Sequence, residues 1–197
     1  MIIIHQGFSP KIEPTAYIAP SATICGNVYI GNHCRVMHGA VIVAEGGSIE
    51  LRDYGIVMEN AVIRATDKHP CRIGKHCFIG SSAHVAGCTI EDEVFIATSA
   101  AVFYGALLGK GSEVRINSVV HINSHIPPKQ VVPVGWVAVG NPIELFPPDR
   151  HEDIWRIQKD LNFPLTVYGI KRSNESMIDI TQYLSETLVA HRGDVII

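Results

Sequence analysis

Residues 73–102 read IGKHCFIGSSAHVAGCTIEDEVFIATSAAV, and an aliphatic side chain recurs there at close to every sixth position. The recurring residues are Ile73, Ile79, Val85, Ile90, Ile96 and Val102. A helix would repeat apolar residues every three to four positions, and a half-exposed strand would alternate every two. A six-residue period therefore predicts a short strand followed by a corner, repeated along the chain.

The same period continues on both sides of this stretch. It includes Ile18, Ile24, Ile30, Val36, Ile42, Leu51, Val57 and Ile63 upstream, and Leu108, Val114, Val120 and Ile126 downstream. Three units make one triangular coil, and each stacked aliphatic side chain contributes roughly 1.5 to 3 kcal/mol by burial. The sequence predicts an all-β fold, a parallel β-helix of hexapeptide repeats.

Two insertions break the period and predict surface features. The step from Ile42 to Leu51 is long enough for Glu45-Gly46-Gly47 to bulge from a corner. The step from Ile63 to Ile73 predicts a protruding loop at residues 67–70. Loops on a rigid scaffold often carry chemistry, so both insertions are candidate site elements.

The pattern ends near Pro142, which predicts a β-helix domain over residues 1–142 and a C-terminal extension over residues 143–197. In the extension, Asp149 is predicted to cap a helix over about 150–160. Residues 162–170 are predicted to be extended, and a second helix is predicted over about 175–191. Both helices are expected to pack on the β-helix.

Composition excludes several classes of function. The formal charge is −3, and no stripe of Lys or Arg favours nucleic acid as a partner. No apolar run approaches membrane-spanning length, and the N-terminus lacks the pattern of a signal peptide. The five cysteines are irregularly spaced, which favours reduced thiols. We therefore expect a cytoplasmic protein.

Two segments carry a specific resemblance to a known family. Residues 26–31 with the bulge at 45–47, and residues 79–90, resemble the γ-class carbonic anhydrases, whose signature there is I-G-H-x-x-x-x-H-G-C-x-I. The resemblance covers about residues 8–142. It implies a left-handed β-helix and a homotrimer, with one zinc between each pair of subunits held by three histidines.

The family's three zinc-binding histidines correspond to Arg64, Ser81 and Ala86 in this chain. Zinc needs neutral nitrogen ligands and an open position to acidify its bound water. An alanine has no ligand atom and an arginine carries a permanent positive charge. The sequence therefore predicts a protein with no stoichiometric zinc, no other metal and no carbonic anhydrase activity.

Arg64 is expected to have an acidic partner, Glu45 or Glu59, in the interface cleft that also holds Ser81 and Ala86. One interpretation is a structural ion pair that fills the former metal site. The other is an arginine that binds the carboxylate, phosphate or thioester carbonyl of a substrate.

His84 lies two residues before Ala86 and is the candidate catalytic residue, a general base if a carboxylate orients its ring. The alternative is a corner histidine bonded to the backbone. His84 with His69 and Cys71 also offers a substitute metal site, although the spacing matches no known ligand pattern.

Three functions follow from these observations. In the first, the protein binds or transforms a small acyl, carboxylate or CoA-thioester compound at the subunit interface, in the manner of the hexapeptide-repeat acyltransferases, with CoA the one cofactor left open. In the second, it is a catalytically silent trimeric scaffold or assembly subunit. In the third, it is a metalloenzyme with relocated ligands.

Overall fold

The structure, a computed structural model, describes residues 1–170 and 177–197. Within these residues the chain forms three sheets of ten, seven and seven short strands. Neighbouring strands in each sheet come from successive coils and pair in parallel, as in the pairs Ile63↔Val85 and Ile79↔Ile96. The predicted parallel β-helix is confirmed.

The strands of the first sheet are Ile2–Ile4, Thr23–Cys25, Val41–Glu45, Val62–Thr66, His84–Ala86, Ala101–Val102, Val119–Val120, Val137–Val139, Glu144–Phe146 and Val195–Ile196. Those of the second are Lys11–Ile12, Val28–Ile30, Ile49–Leu51, Cys71–Ile73, Thr89–Ile90, Leu107–Leu108 and His125–Ile126. Those of the third are Tyr17–Ile18, Arg35–Val36, Ile56–Val57, Phe78–Ile79, Phe95–Ile96, Glu113–Val114 and Val131–Val132.

The aliphatic ladders predicted from the six-residue period form the core. Ile42, Ile63 and Val85 are aligned on adjacent strands of the first sheet and are fully buried. A small residue follows most of the aliphatic ladder positions by four residues, and it also points inward. Cys34 and Cys77 occupy this position and are buried like the alanines at equivalent positions. Because alternate residues of a strand face opposite ways, the residue after each ladder position faces outward.

Both insertions lie on the first sheet and lengthen its strands to five residues at Val41–Glu45 and Val62–Thr66. The second insertion is a tight turn, closed by two backbone hydrogen bonds between Thr66 and His69. Asp67 and Lys68 at its tip are exposed. The predicted protruding loop is confirmed at this position.

The first helix of the extension covers His151–Gln158 and continues as a 3₁₀ turn over Lys159–Leu161. It matches the predicted range, but its N-cap is Arg150 and no side chain caps it, so the predicted Asp149 cap is wrong.

The prediction of an extended segment over residues 162–170 is also wrong, because Pro164–Tyr168 forms one π-helical turn. Asn162 has a positive φ of 42° that redirects the chain, and a proline in a first turn has no N–H to lose. The second helix covers Ile178–Leu188 and continues as a 3₁₀ turn over Val189–Gly193. Its predicted start at 175 lies outside the described residues.

The extension also provides the outermost strand at each edge of the first sheet. Glu144–Phe146 pairs antiparallel with Val137–Val139 at one edge, and Val195–Ile196 pairs antiparallel with Ile2–Ile4 at the other. These outermost strands have three and two residues, and edge strands this short offer little backbone for further pairing. Within residues 1–170 and 177–197, no helix is both long enough and apolar enough to cross a bilayer.

Candidate functional site

Strand register on the first sheet places Arg64 between Val43 and Ala86 on the neighbouring strands. The three residues follow the inward positions Ile63, Ile42 and Val85, so they belong to one outward-facing row. Arg64 and Ala86, which correspond to family zinc positions by resemblance, therefore lie on one face. Ser81 lies apart from this row, at the corner before His84–Ala86.

Arg64 forms an ion pair with Glu45, from Nη2 to Oε1. Glu45 aligns with Thr66 on the adjacent strand, so the two long side chains run toward each other along the sheet. The Arg64 side chain is 39% exposed, and a pair this open contributes at most about 1 kcal/mol. Of the two predicted acidic partners, Glu45 is the one that pairs with Arg64.

Glu59 has a different partner. Ser81 donates a hydrogen bond from Oγ to Oε2 of Glu59 over 3.1 Å. This bond engages the hydroxyl of Ser81 and the carboxylate of Glu59 with each other at a corner of the coil. The Ser81 hydroxyl and the Glu59 carboxylate therefore bond to each other and not to Arg64.

Ala86 is fully buried beneath the C-terminal extension. It belongs to an apolar cluster with Tyr104, Ile122 and Val167, of which Val167 lies on the π-helical turn. The next residue, Gly87, has a positive φ of 47°, and a Cβ there would lie 2.5 Å from the Cβ of His69. The chain around Ala86 is therefore packed closely, with no space that a side-chain ligand would need.

These residues do not fit zinc. A guanidinium already paired with a carboxylate, a hydroxyl bonded to another carboxylate, and a buried methyl group provide no set of ligands for a cation. No catalytic step through zinc can be derived at this position.

His84 opens its strand rather than occupying a corner, and its ring lies 5.9 Å from that of Phe103, centroid to centroid. Burial, with the nearby Arg64 charge as the smaller cause, lowers the pKa of His84. Its side chain makes no hydrogen bond to any described residue, so the predicted orienting carboxylate and the alternative backbone bond are both missing from the described part of the chain. The ring is held neutral by its surroundings.

His69 and Cys71 do not join His84 in a metal site. His69 donates a hydrogen bond from Nε2 to the carbonyl oxygen of Thr166 over 2.9 Å, which ties the loop to the extension. Cys71 is fully buried inside the coil. Among the described residues, these three side chains form no cluster that could hold a metal ion.

A cavity of about 520 Å³ lies between the β-helix and the extension. The β-helix contributes Phe103, His121 and Ile122, and the extension contributes Trp155, Gln158, Lys159, Asn162, Phe163, Pro164, Met177 and Ile180. The sequence did not reveal this cavity, because the extension's path over the first sheet has no periodic pattern. The available indication was Trp155 on the predicted first helix, whose side chain is 48% exposed in the structure.

His121 lines this cavity, and its imidazole has a shifted pKa. Burial lowers its pKa, so the imidazole is neutral near pH 7. Its Nδ1 is buried and has no hydrogen-bond partner among the described residues. Its ring lies 6.4 Å from that of Phe103, which in turn lies 5.9 Å from the ring of His84, so the three rings are near neighbours on the first sheet.

Comparisons with known proteins agree with the fold. Residues 9–44 match the family described as Bacterial transferase hexapeptide (six repeats). The mitochondrial Gamma carbonic anhydrase 1 of Arabidopsis thaliana is 30% identical over 129 residues, which are 62% of this chain and 47% of that protein. The mitochondrial Gamma carbonic anhydrase 2 of the same plant is 26% identical over 174 residues, 85% of this chain and 60% of that protein.

The chain thus spans about half the length of these curated relatives. Among solved structures, a Bacillus cereus protein named as a candidate acetyltransferase superposes with a TM-score of 0.62 at 22% identity. The match covers 83% of this chain and 94% of that one. At this identity the likeness concerns the fold.

Proposed function

We propose that this chain, which belongs to the γ-carbonic-anhydrase-like hexapeptide-repeat family, binds a small carboxylate or acyl compound and does not hydrate CO₂. The observation that carries the proposal is the cavity between the β-helix and the extension. Its volume of about 520 Å³ lies within the range of small-molecule sites.

The lining of the cavity favours an apolar ligand with one anionic end. Phe103, Trp155 and Phe163 provide aromatic walls, which suit an acyl chain or a small ring. Among the described residues that line the cavity, Lys159 alone carries a formal charge at neutral pH. An ammonium group at an apolar cavity is complementary to a carboxylate.

His84, whose ring lies 5.9 Å from that of Phe103 at the cavity wall, is proposed as a general base that acts without an orienting carboxylate. A base must be unprotonated to accept a proton, and burial together with Arg64 favours that form of His84. The cleft that contains Arg64, Ser81, Glu45 and Glu59 is proposed to face a neighbouring subunit of a homotrimer. A CoA thioester is one member of the ligand class, and only its acyl group would enter a cavity of this size.

A catalytically silent scaffold is the second candidate function. It is favoured by the burial of Ala86 under Tyr104 and Val167 and by the neutralisation of Arg64 by Glu45. Both features fill the position of the family's zinc without creating another site there.

Calorimetric titration with hexanoate, hexanol and hexanoyl-CoA separates the two functions. We expect hexanoate or the thioester to bind, Trp155→Ala to weaken binding of both, and Lys159→Met to weaken hexanoate while sparing hexanol. Lys129→Met, which replaces an exposed lysine outside the cavity lining, is the matched control. If none of the three compounds binds, the scaffold is favoured, and CO₂ hydration by zinc-supplemented protein would overturn the proposal.

A further inference from the structure

Four potential metal ligands meet at the other end of the first sheet, away from the cavity. His5 follows strand Ile2–Ile4, and Cys25 ends strand Thr23–Cys25. His191 and Asp194 precede strand Val195–Ile196. Because Ile2–Ile4 pairs with both of the other strands, the fold brings the two chain ends and the first coil together at this point.

The four side chains are close enough to share one ion. Each offers a ligand atom, and these atoms all lie within 4.8 Å of one another. Asp194 bridges the two imidazoles, with Oδ1 2.6 Å from Nδ1 of His5 and Oδ2 2.8 Å from Nδ1 of His191. The two rings are stacked with their centroids 4.3 Å apart.

Cys25 differs from the other four cysteines. Cys34, Cys71, Cys77 and Cys88 belong to the core inside the coil, whereas Cys25 follows the inward residue Ile24 and faces outward. It is nevertheless only 2% exposed, as is His5. Burial first, and then the charges of Asp194 and Glu45, raise the pKa of the Cys25 thiol to about 11.

We propose that His5, Cys25, His191 and Asp194 form a binding site for a zinc-type transition-metal dication. One thiolate and one carboxylate balance the charge of the dication in a buried position. Two imidazoles and a thiolate are ligands that zinc and cobalt prefer, whereas magnesium and calcium take oxygen ligands. No other group of three such side chains converges among the described residues.

Binding replaces a proton with the metal, because the Cys25 thiol must lose its proton to solvent as the sulfur–metal bond forms. In a tetrahedral site the ligand atoms lie roughly 3.3 to 3.8 Å from one another. Metal binding therefore lengthens the contacts of Asp194 with the two histidines and shortens the widest ligand-to-ligand distance, which is within 4.8 Å. Four protein ligands leave no open position, which makes the site structural. It joins the first coil to both ends of the chain.

This site is distinct from the family's zinc position and from the proposed ligand cavity. The prediction of no stoichiometric zinc rests on Arg64, Ser81 and Ala86, and the proposed site departs from that prediction because it uses a different tetrad, His5, Cys25, His191 and Asp194. The nearest link between the two regions is Glu45, whose Oε1 lies 3.8 Å from Nε2 of His191 and pairs with Arg64.

The test uses full-length protein stripped with a chelator, kept reduced, and titrated with CoCl₂. We expect one Co²⁺ per chain, with the near-ultraviolet absorption of a thiolate–cobalt bond, and displacement by ZnCl₂. Cys25→Ala abolishes that absorption. Cys34→Ala is the matched control, because other coils carry alanine at the equivalent inward position and so the fold is kept.

His191→Ala provides a second variant that retains the fold, since its side chain is one-third exposed. We expect it to lower cobalt affinity by at least the roughly 10-fold that changes around metal sites produce. The proposal is overturned if cobalt does not bind stoichiometrically, or if its thiolate absorption survives in Cys25→Ala. Unchanged affinity in His191→Ala would overturn it as well. None of these results bears on binding of hexanoate.

Discussion

Cys25 and Ala86 occupy the same outward-facing row of the first sheet, aligned through Val43 and Arg64, yet their surroundings are opposite. The extension covers Ala86 with the apolar Val167 and covers Cys25 with the polar His191 and Asp194. Cys25 and Ala86 are thus equivalent positions of the β-helix, and the part of the extension that packs on each one determines whether its surroundings are polar or apolar.

Ala86 and Cys25 also show two ways in which the extension can bury a side chain that faces away from the coil. Apolar contact suffices at Ala86, where Val167 and Tyr104 exclude water. At Cys25, the covering groups are polar, and each must keep a hydrogen-bond partner because an unsatisfied buried polar group is costly. Asp194 provides those partners to both imidazoles.

The largest expected effect comes from placing a charged side chain in the apolar contact between Val167 and Ala86. Val167→Asp places a carboxylate in the apolar cluster that includes Ala86 and Ile122, and because burial of a charge is costly we expect a loss of about 3 kcal/mol in the free energy of unfolding. Urea denaturation followed by tryptophan fluorescence measures it, since Trp155 reports on the extension.

Leu165→Asp is the control, because Leu165 lies on the same π-helical turn but is 42% exposed. A surface substitution there is expected to change the free energy of unfolding by no more than about 0.5 kcal/mol. Equal losses in the two variants would mean that the apolar cover of Ala86 does not anchor the extension.

A smaller effect is expected from removing the Asp194 carboxylate, which bridges His5 and His191. In chelator-treated protein, Asp194→Ala leaves the rings of His5 and His191 without their shared acceptor, and hydrogen bonds to charged groups contribute roughly 1.5 to 3 kcal/mol in such sites. We expect urea denaturation to show a loss in that range. Asp160→Ala, an exposed aspartate on the other side of the extension, should lose less than about 0.5 kcal/mol.

The repeat was predictable from sequence because each coil requires the same residue types at fixed spacing. The register that aligns Arg64 with Ala86 follows from that spacing, and so does the pairing of Arg64 with one of two nearby carboxylates. The family positions were located through resemblance to a signature, which identified the residues but gave no view of the extension that covers Ala86.

The tetrad could not be predicted, because its members are separated by up to 189 residues and meet only through edge strand pairing. His5 and Cys25 lie in the first coil, but His191 and Asp194 follow a helix whose path has no repeat to constrain it. The π-helical turn at Pro164–Tyr168 was missed for a related reason, since its conformation depends on packing against Tyr104 and Ile122.

The smallest expected effect tests the electrostatic link between Arg64 and His84. The Arg64 charge lowers the pKa of His84 in addition to burial, so Arg64→Met should raise that pKa toward the ordinary value of about 6.5. NMR titration of the ring protons measures the shift. Burial remains in the variant, so the pKa should stay below that of an unfolded chain.

The lowered pKa of His84 also sets how the stability of the folded protein depends on pH. A histidine whose pKa is lower in the folded protein contributes stability above the unfolded value of about 6.5, and this contribution is lost as pH falls through the folded pKa. Arg64→Met should therefore cost up to about 1 kcal/mol near pH 7.5, where the ion pair with Glu45 is lost, and less near pH 5.5. Arg52→Met, which removes an exposed arginine paired with Glu50, should leave the His84 titration unchanged. Identical His84 titrations in the wild type and in Arg64→Met would show that burial alone keeps this ring neutral.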